Sequence, residues 1–189
     1  DSKTAIVNNG TIDVNVTVVP ADYPGNATIV VNASVDGDYN VTVGNETYPV
    51  HVENGTGNVT LPVLPAGNYT VNVTGEIPNY GSVNESGEDL IIGNGTIDVK
   101  LDISPVVYPS NVTAVIEANV TGQYIVTVDG MDPVVVNVDK DTPYELDLGV
   151  LPVGNYAVSV VSNITNYNRA EDSKTAIVNN GTIDVNVTV

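Results

Sequence analysis

Eight consecutive residues, Thr11 to Val18 in the stretch "TIDVNVTV", alternate between polar and β-branched apolar side chains without a fault. Successive side chains of an extended chain point to opposite faces, so Ile12, Val14, Val16 and Val18 form one face and Thr11, Asp13, Asn15 and Thr17 the other. A helix would scatter those apolar residues around its circumference, so the stretch can bury them together only as a strand. The same texture runs through the chain. Val and Ile dominate the apolar set, ten Tyr are the only aromatics, and Phe, Trp and Cys are absent. β-Branched residues and tyrosine suit a pleated, half-buried surface. The lack of Cys removes disulfides and thiolate chemistry.

Turn signals cut the first half of the chain into about seven short strands. Pro and Gly in "VPADYPGN" end the first strand, "ATIVVNASV" forms the second, and "DGD" turns into "YNVTV" with Tyr39, Val41 and Val43 inward. The turns "GNET" and "ENGTG" precede "YPVHV" and "NVTLPVL"; "NYTVNVT" follows a "PAG" corner, and "EDLII" is the last strand. Short strands, turn signals every ~10 residues and no helical periodicity predict an all-β fold of Ig-like Greek-key sandwiches.

Those strands recur. "NGTIDVNVTVVPADYPGNAT" (9–28) and "NGTIDVKLDISPVVYPSNVT" (94–113) agree at 11 of 20 positions, at an offset of 85. "LPAGNYTVNV" from Leu64 is matched by "LPVGNYAVSV" from Leu151 at an offset of 87. Two homologous units therefore fill the chain. A longer period surrounds them: residues 1–18 and 172–189 are the same eighteen letters, "DSKTAIVNNGTIDVNVTV". Diverged units inside identical ends point to an old duplication followed by recent copying of the two-unit block. The expected organisation is residues 1–10 as the last strand of a preceding repeat, 11–92 and 96–178 as Ig-like domains, and 182–189 as the first strand of a following repeat. The chain is then a window onto a longer array.

In "LPAGNY", Leu64 is expected to enter the core, Pro65 and Gly67 to bend the chain, and Tyr69 to start the next strand; Leu151, Pro152, Gly154 and Tyr156 repeat this. A tyrosine so placed can bury its ring and return its hydroxyl to the backbone a few residues upstream, a tyrosine corner. With this corner and its valine-asparagine-threonine texture, "NVTLPVLPAGNYTVNVTG…PNY" resembles the tandem bacterial-type Ig-like repeats of archaeal, methanogen-type, adhesin-like surface proteins. Both units share the resemblance, although "EIPNY" and "NITNY" replace the usual "GDDNY". It implies an exported, repetitive cell-surface protein.

Seventeen of the 24 Asn stand in N-x-S/T, where the Ser and Thr content would supply roughly four by chance. Strand alternation produces some automatically, because Asn and Thr at i and i+2 share a face. It accounts for Asn15 or Asn72 better than for Asn45 and Asn84, read here as loop sites. These asparagines are candidate N-glycan carriers: Asn15, Asn26, Asn32, Asn40, Asn45, Asn54, Asn58, Asn68, Asn72 and Asn84 in the first unit, Asn94 in the link, and Asn111, Asn119 and Asn163 in the second. The first unit is thus the sugar-coated one, and the barer second unit is the surface for contact with neighbouring copies.

No catalytic constellation is present: the single His51 has no nucleophile motif around it, and neither a P-loop nor a dinucleotide fingerprint occurs. No enzymatic activity and no cofactor are expected. Acidic turns supply candidate calcium ligands, Asp36 and Asp38, Asp129 and Asp132, Asp139 and Asp141, but no twelve-residue calcium loop accompanies them and the acids differ between units. Twenty-three acids against five bases give a net charge of −18, which repels nucleic acid and anionic lipid. No apolar run approaches the ~20 residues of a membrane span. The expected partners are other copies of the chain and covalent N-glycans, and the expected setting is the extracellular cell surface. A structural stalk, adhesin or filament fits best. Two other readings are a donor-strand-exchanged pilus-like subunit and a carbohydrate-binding surface module, the latter short of the exposed aromatic platform that sugar stacking uses.

Overall fold

A computed structural model describes residues 3–186, with eighteen strands and no helix among the described residues. The chain divides after Gly95 into two compact units. The first contains β1 (Val14–Val19), β2 (Ala21–Asp22), β3 (Thr28–Ala33), β4 (Gly37–Val43), β5 (Glu46–Val52), β6 (Thr56–Thr60), β7 (Gly67–Tyr69), β8 (Val71–Ile77), β9 (Gly81–Ser86) and β10 (Leu90–Gly93). The second contains β11 (Val99–Ile103), β12 (Val106–Val107), β13 (Val112–Ala118), β14 (Gly122–Val128), β15 (Val134–Val138), β16 (Tyr144–Gly149), β17 (Gly154–Ser162) and β18 (Glu171–Asn179).

In unit 1 the sheets run β1-β3-β6 and β5-β4-β8-β9, with a small third sheet β2-β10-β7. Alternation sets what each face does. Val16 lies opposite Val31 and Val18 opposite Ile29 on the inner face, while Asn15 lies opposite Asn32 on the outer one. The valines of β4, β5 and β8 close the core from the other side, with Tyr39, Val41, Val43, Val50, Val52, Val71 and Val73 all buried. Unit 2 repeats the plan as β11-β13-β16 and β12-β18-β17-β14-β15. Each unit is therefore an Ig-like Greek-key sandwich whose two main sheets enclose one apolar cluster.

The units differ at their last strand. In unit 2, β18 runs unbroken for nine residues, antiparallel to β17 and parallel to the two-residue β12. In unit 1 the same course is split: β9 pairs with β8, the strand is interrupted from Gly87 to Asp89, and β10 pairs with β7 and β2. At Gly87 the backbone closes on β1, since a Cβ there would stand 2.9 Å from Val16 Cγ1. Strand β9 corrects the reading of Asn84 as a loop site: it lies on a strand, opposite Thr74. Val83 is the only apolar residue in that stretch, so its own sequence carries no alternation; pairing with β8 makes it a strand.

The duplicated eighteen-residue stretch is folded in complementary halves. In its second copy, Ala176 and Val178 are buried within β18; their first-copy equivalents Ala5 and Val7 are exposed outside any strand, Val7 at 93%. Conversely, Ile12 and Val14 are half-buried, Val14 within β1, whereas their second-copy equivalents Ile183 and Val185 are 89% and 78% exposed.

Candidate functional site: tyrosine anchors and asparagine-bearing faces

The corner tyrosines close their loops. Tyr69 donates its hydroxyl to the Pro65 carbonyl at 2.8 Å, and Tyr156 donates to the Pro152 carbonyl at 2.9 Å. Their rings are half-buried against the core rather than fully enclosed. Leu61 takes the deep position in unit 1, with Leu64 half-buried above it, whereas Leu151 is buried in unit 2. Replacing Tyr69 by Phe removes one hydrogen bond at a partly wet site, so unit 1 is expected to lose about 1 kcal/mol. An unchanged urea midpoint for that variant would remove the corner from the stabilising interactions.

A second pair of tyrosines makes the same kind of bond; the sequence turned Tyr39 inward but did not single out its hydroxyl bond or Tyr124. Tyr39 and Tyr124 are 1% and 0% exposed, and each donates its hydroxyl to a carbonyl four residues upstream, Val35 and Val120, at 2.8 Å. Burial pushes both phenols above the ordinary tyrosine range. The signal was available: both stand in the motif Gly-x-Tyr at the start of a strand, and the alternation already turned Tyr39 inward. Of the ten tyrosines only Tyr80, in unit 1, and Tyr108, in unit 2, are exposed.

Twelve of the candidate asparagines are exposed, and Asn72 and Asn119 are half-buried. Seven lie on strands, all in unit 1: Asn15, Asn32, Asn40, Asn58, Asn68, Asn72 and Asn84. Asn26, Asn45, Asn54, Asn94, Asn111, Asn119 and Asn163 lie in turns or links. On the outer face of β4, β8 and β9 the sequons interlock: Asn40, Thr74 and Asn84 form one cross-strand row, and Thr42, Asn72 and Ser86 the next. Some side-chain amides have partners. Asn26 Nδ2 donates to the Leu61 carbonyl at 2.7 Å, and Asn111 Nδ2 to the Asp147 carboxylate at 3.0 Å. A side-chain amide carries two N–H groups, so one of these bonds and a sugar are compatible. Asn119 fastens the start of β11 to the end of β13. Its side-chain oxygen accepts from the Asp98 amide at 2.8 Å, as Ser34 Oγ accepts from the Asp13 amide in unit 1.

Several of the acidic turn residues have local partners. Asp36 accepts from the Asn54 and Gly55 amides at 3.0 and 2.9 Å, and Asp129 from the Ala157 amide at 3.2 Å. Asp38 pairs with His51 Nδ1 at 2.7 Å on the exposed face of β4 and β5; that hydrogen bond holds the imidazole above its ordinary pKa. Asp141 lies 4.0 Å from Lys140 Nζ, and Asp132 and Asp139 are exposed. Among the described residues no three His, Cys, Asp or Glu side chains converge as a metal site.

No protein-family model and no curated protein sequence matches the chain. Among solved structures, the chain is similar to a two fibronectin type-III domain segment of chicken tenascin, at 17% identity over 90% of this chain and 99% of that one, with a TM-score of 0.45. It is also similar to fibronectin(III)-like modules of Clostridium thermocellum CbhA, at 16% identity over 92% and 99% of the two chains, with a TM-score of 0.38. A third similar structure comes from a 1.5-MDa bacterial ice-binding adhesin, at 16% identity over 92% of this chain and 67% of that one, with a TM-score of 0.37. No helix of the described residues is long and apolar enough to cross a membrane.

Proposed function

We propose that the chain is part of an extracellular, non-catalytic tandem array of Ig-like sandwiches, forming a cell-surface stalk, adhesin or filament and carrying N-glycans chiefly on unit 1. The observation that supports the array is the duplicated stretch: its first half folds as the last strand of a sandwich at β18, its second half as the first strand of one at β1. One eighteen-residue segment thus joins two successive blocks, and a head-to-tail relation that does not close generates a fibre. Intact mass of native material under denaturing conditions tests this. A chain far above 19.7 kDa after deglycosylation agrees with the array, and a species at 19.7 kDa opposes it.

The glycan reading rests on exposure. Asn45 and Asn54 occupy turns, where strand alternation supplies no reason for an N-x-T pattern, and both are exposed. Glycopeptide mass spectrometry is expected to find sugar at both, and more occupied sites in unit 1 than in unit 2. Bare Asn45 and Asn54 would leave the sequons as a by-product of outward polar positions on strands.

A further inference from the structure

Unpaired sheet edges invite pairing with other chains, and proteins blunt them with charge, proline, brevity or cover. In unit 1, β1, β6, β7 and β9 each carry a sequon asparagine, β2 carries Asp22, and β5 carries Glu46 and Pro49. In unit 2, β11 carries Lys100 and Asp102, β16 carries Glu145 and Asp147, and β12 is two residues long. Strand β15 has none of these. It ends the five-stranded sheet, pairs only with β14, and reads Val-Val-Val-Asn-Val, with Val134 and Val135 41% and 58% exposed. Its unit 1 counterpart β5 has Pro49 facing Asn40, where β15 has Val135 facing Ile125.

We infer that β15 is a docking edge for β15 of a second copy, joined antiparallel about a two-fold axis through Val136. Charge and pattern select this partner. Around that centre Val134 meets Val138 on the inner face and Val135 meets Asn137 on the outer one. Two residues beyond the strand at each end, past Pro133 facing Asp139, Asp132 meets Lys140, so a chain of net charge −18 approaches its copy with opposite charges opposed. The contact is isologous and fuses two five-stranded sheets into one. Its area is that of one strand edge, so a single pair is weak, and identical contacts repeated along an array strengthen one another. The contact deepens the array reading, which supplies only its repetition; dimerisation of the 189-residue chain tests the contact, and intact mass tests the array.

Sedimentation velocity of the full chain over a wide concentration range reads the outcome. A reversible monomer–dimer equilibrium is expected, lost in Val135→Lys, which puts a charge on the edge. Asp132→Lys or Lys140→Asp alone opposes like charges at both ends and is expected to weaken the dimer roughly tenfold. The double variant restores it. Both exchanged side chains are exposed, so the fold is kept even where Val135→Lys disturbs unit 2. A chain monomeric at every concentration, a dimer indifferent to Val135→Lys in folded protein, or single reversals that the double variant does not rescue would each overturn the assignment.

Discussion

A chain ending at Ala170 is expected, while dilute enough to stay monomeric, to lose the unfolding transition of unit 2 and to keep that of unit 1. Strand β18 pairs with β17 from Glu171 to Val178 and with β12 at Val178 and Asn179, and it places Ala176 and Val178 in the core. Asp172 also reaches across to the other sheet, accepting from the Leu101 amide at 2.8 Å, which draws its carboxyl below the usual range. Losing all of this removes an amount comparable to the roughly 5–15 kcal/mol that holds a whole domain. The missing strand has a substitute in the same chain. Residues 3–9 repeat residues 174–180 letter for letter. The shortened chain is therefore expected to associate head to tail, one copy's N-terminal segment filling the next copy's empty slot. Light scattering should rise with concentration and fall when a peptide of residues 171–180 is added. Unit 2 of the dilute, monomeric shortened chain unfolding at its usual midpoint, or a shortened chain that stays monomeric at every concentration, would count against the slot being selective for this sequence.

The second large effect belongs to the inward tyrosines. Tyr124→Ala removes a fully enclosed ring from the centre of unit 2 and leaves a cavity between sheets that cannot collapse without moving backbone. The expected loss is about 3–5 kcal/mol. Tyr124→Phe keeps the ring and orphans only the Val120 carbonyl, so its expected loss is nearer 1 kcal/mol. Urea unfolding of both variants separates the two contributions. Equal losses would show that the hydroxyl, not the ring, carries the stability.

How much of this was legible in the letters follows from what alternation encodes. A period of two tells which side of a strand is apolar, and it placed Tyr39, Val41 and Val43 inward, where the structure has them buried. It does not tell which strands are neighbours. The interlocked rows of Asn40, Thr74 and Asn84, and the lone unguarded edge at β15, exist only once the sheet order is known. Stretches without alternation leave no trace of their pairing in the letters. Strand β9 owes its strand character to β8, so its Asn84 looks like a loop site until the sheet is assembled. The duplicated ends carried their message in identity rather than pattern, and the structure added that the same residues are enclosed in one context and solvated in the other.

The parallel pairings give each sandwich a defined response to tension. In unit 1, β2 runs parallel to β10, and in unit 2, β12 runs parallel to β18; in each case an early strand lies beside the last one. A pull on the two ends of a unit slides these neighbours in opposite directions, so their hydrogen bonds are sheared together instead of being peeled one at a time. Each pairing is two residues deep, Ala21 and Asp22 with Ile92 and Gly93, Val106 and Val107 with Val178 and Asn179. A stretched chain therefore meets a short latch in every unit, which yields before the two sheets of that sandwich part.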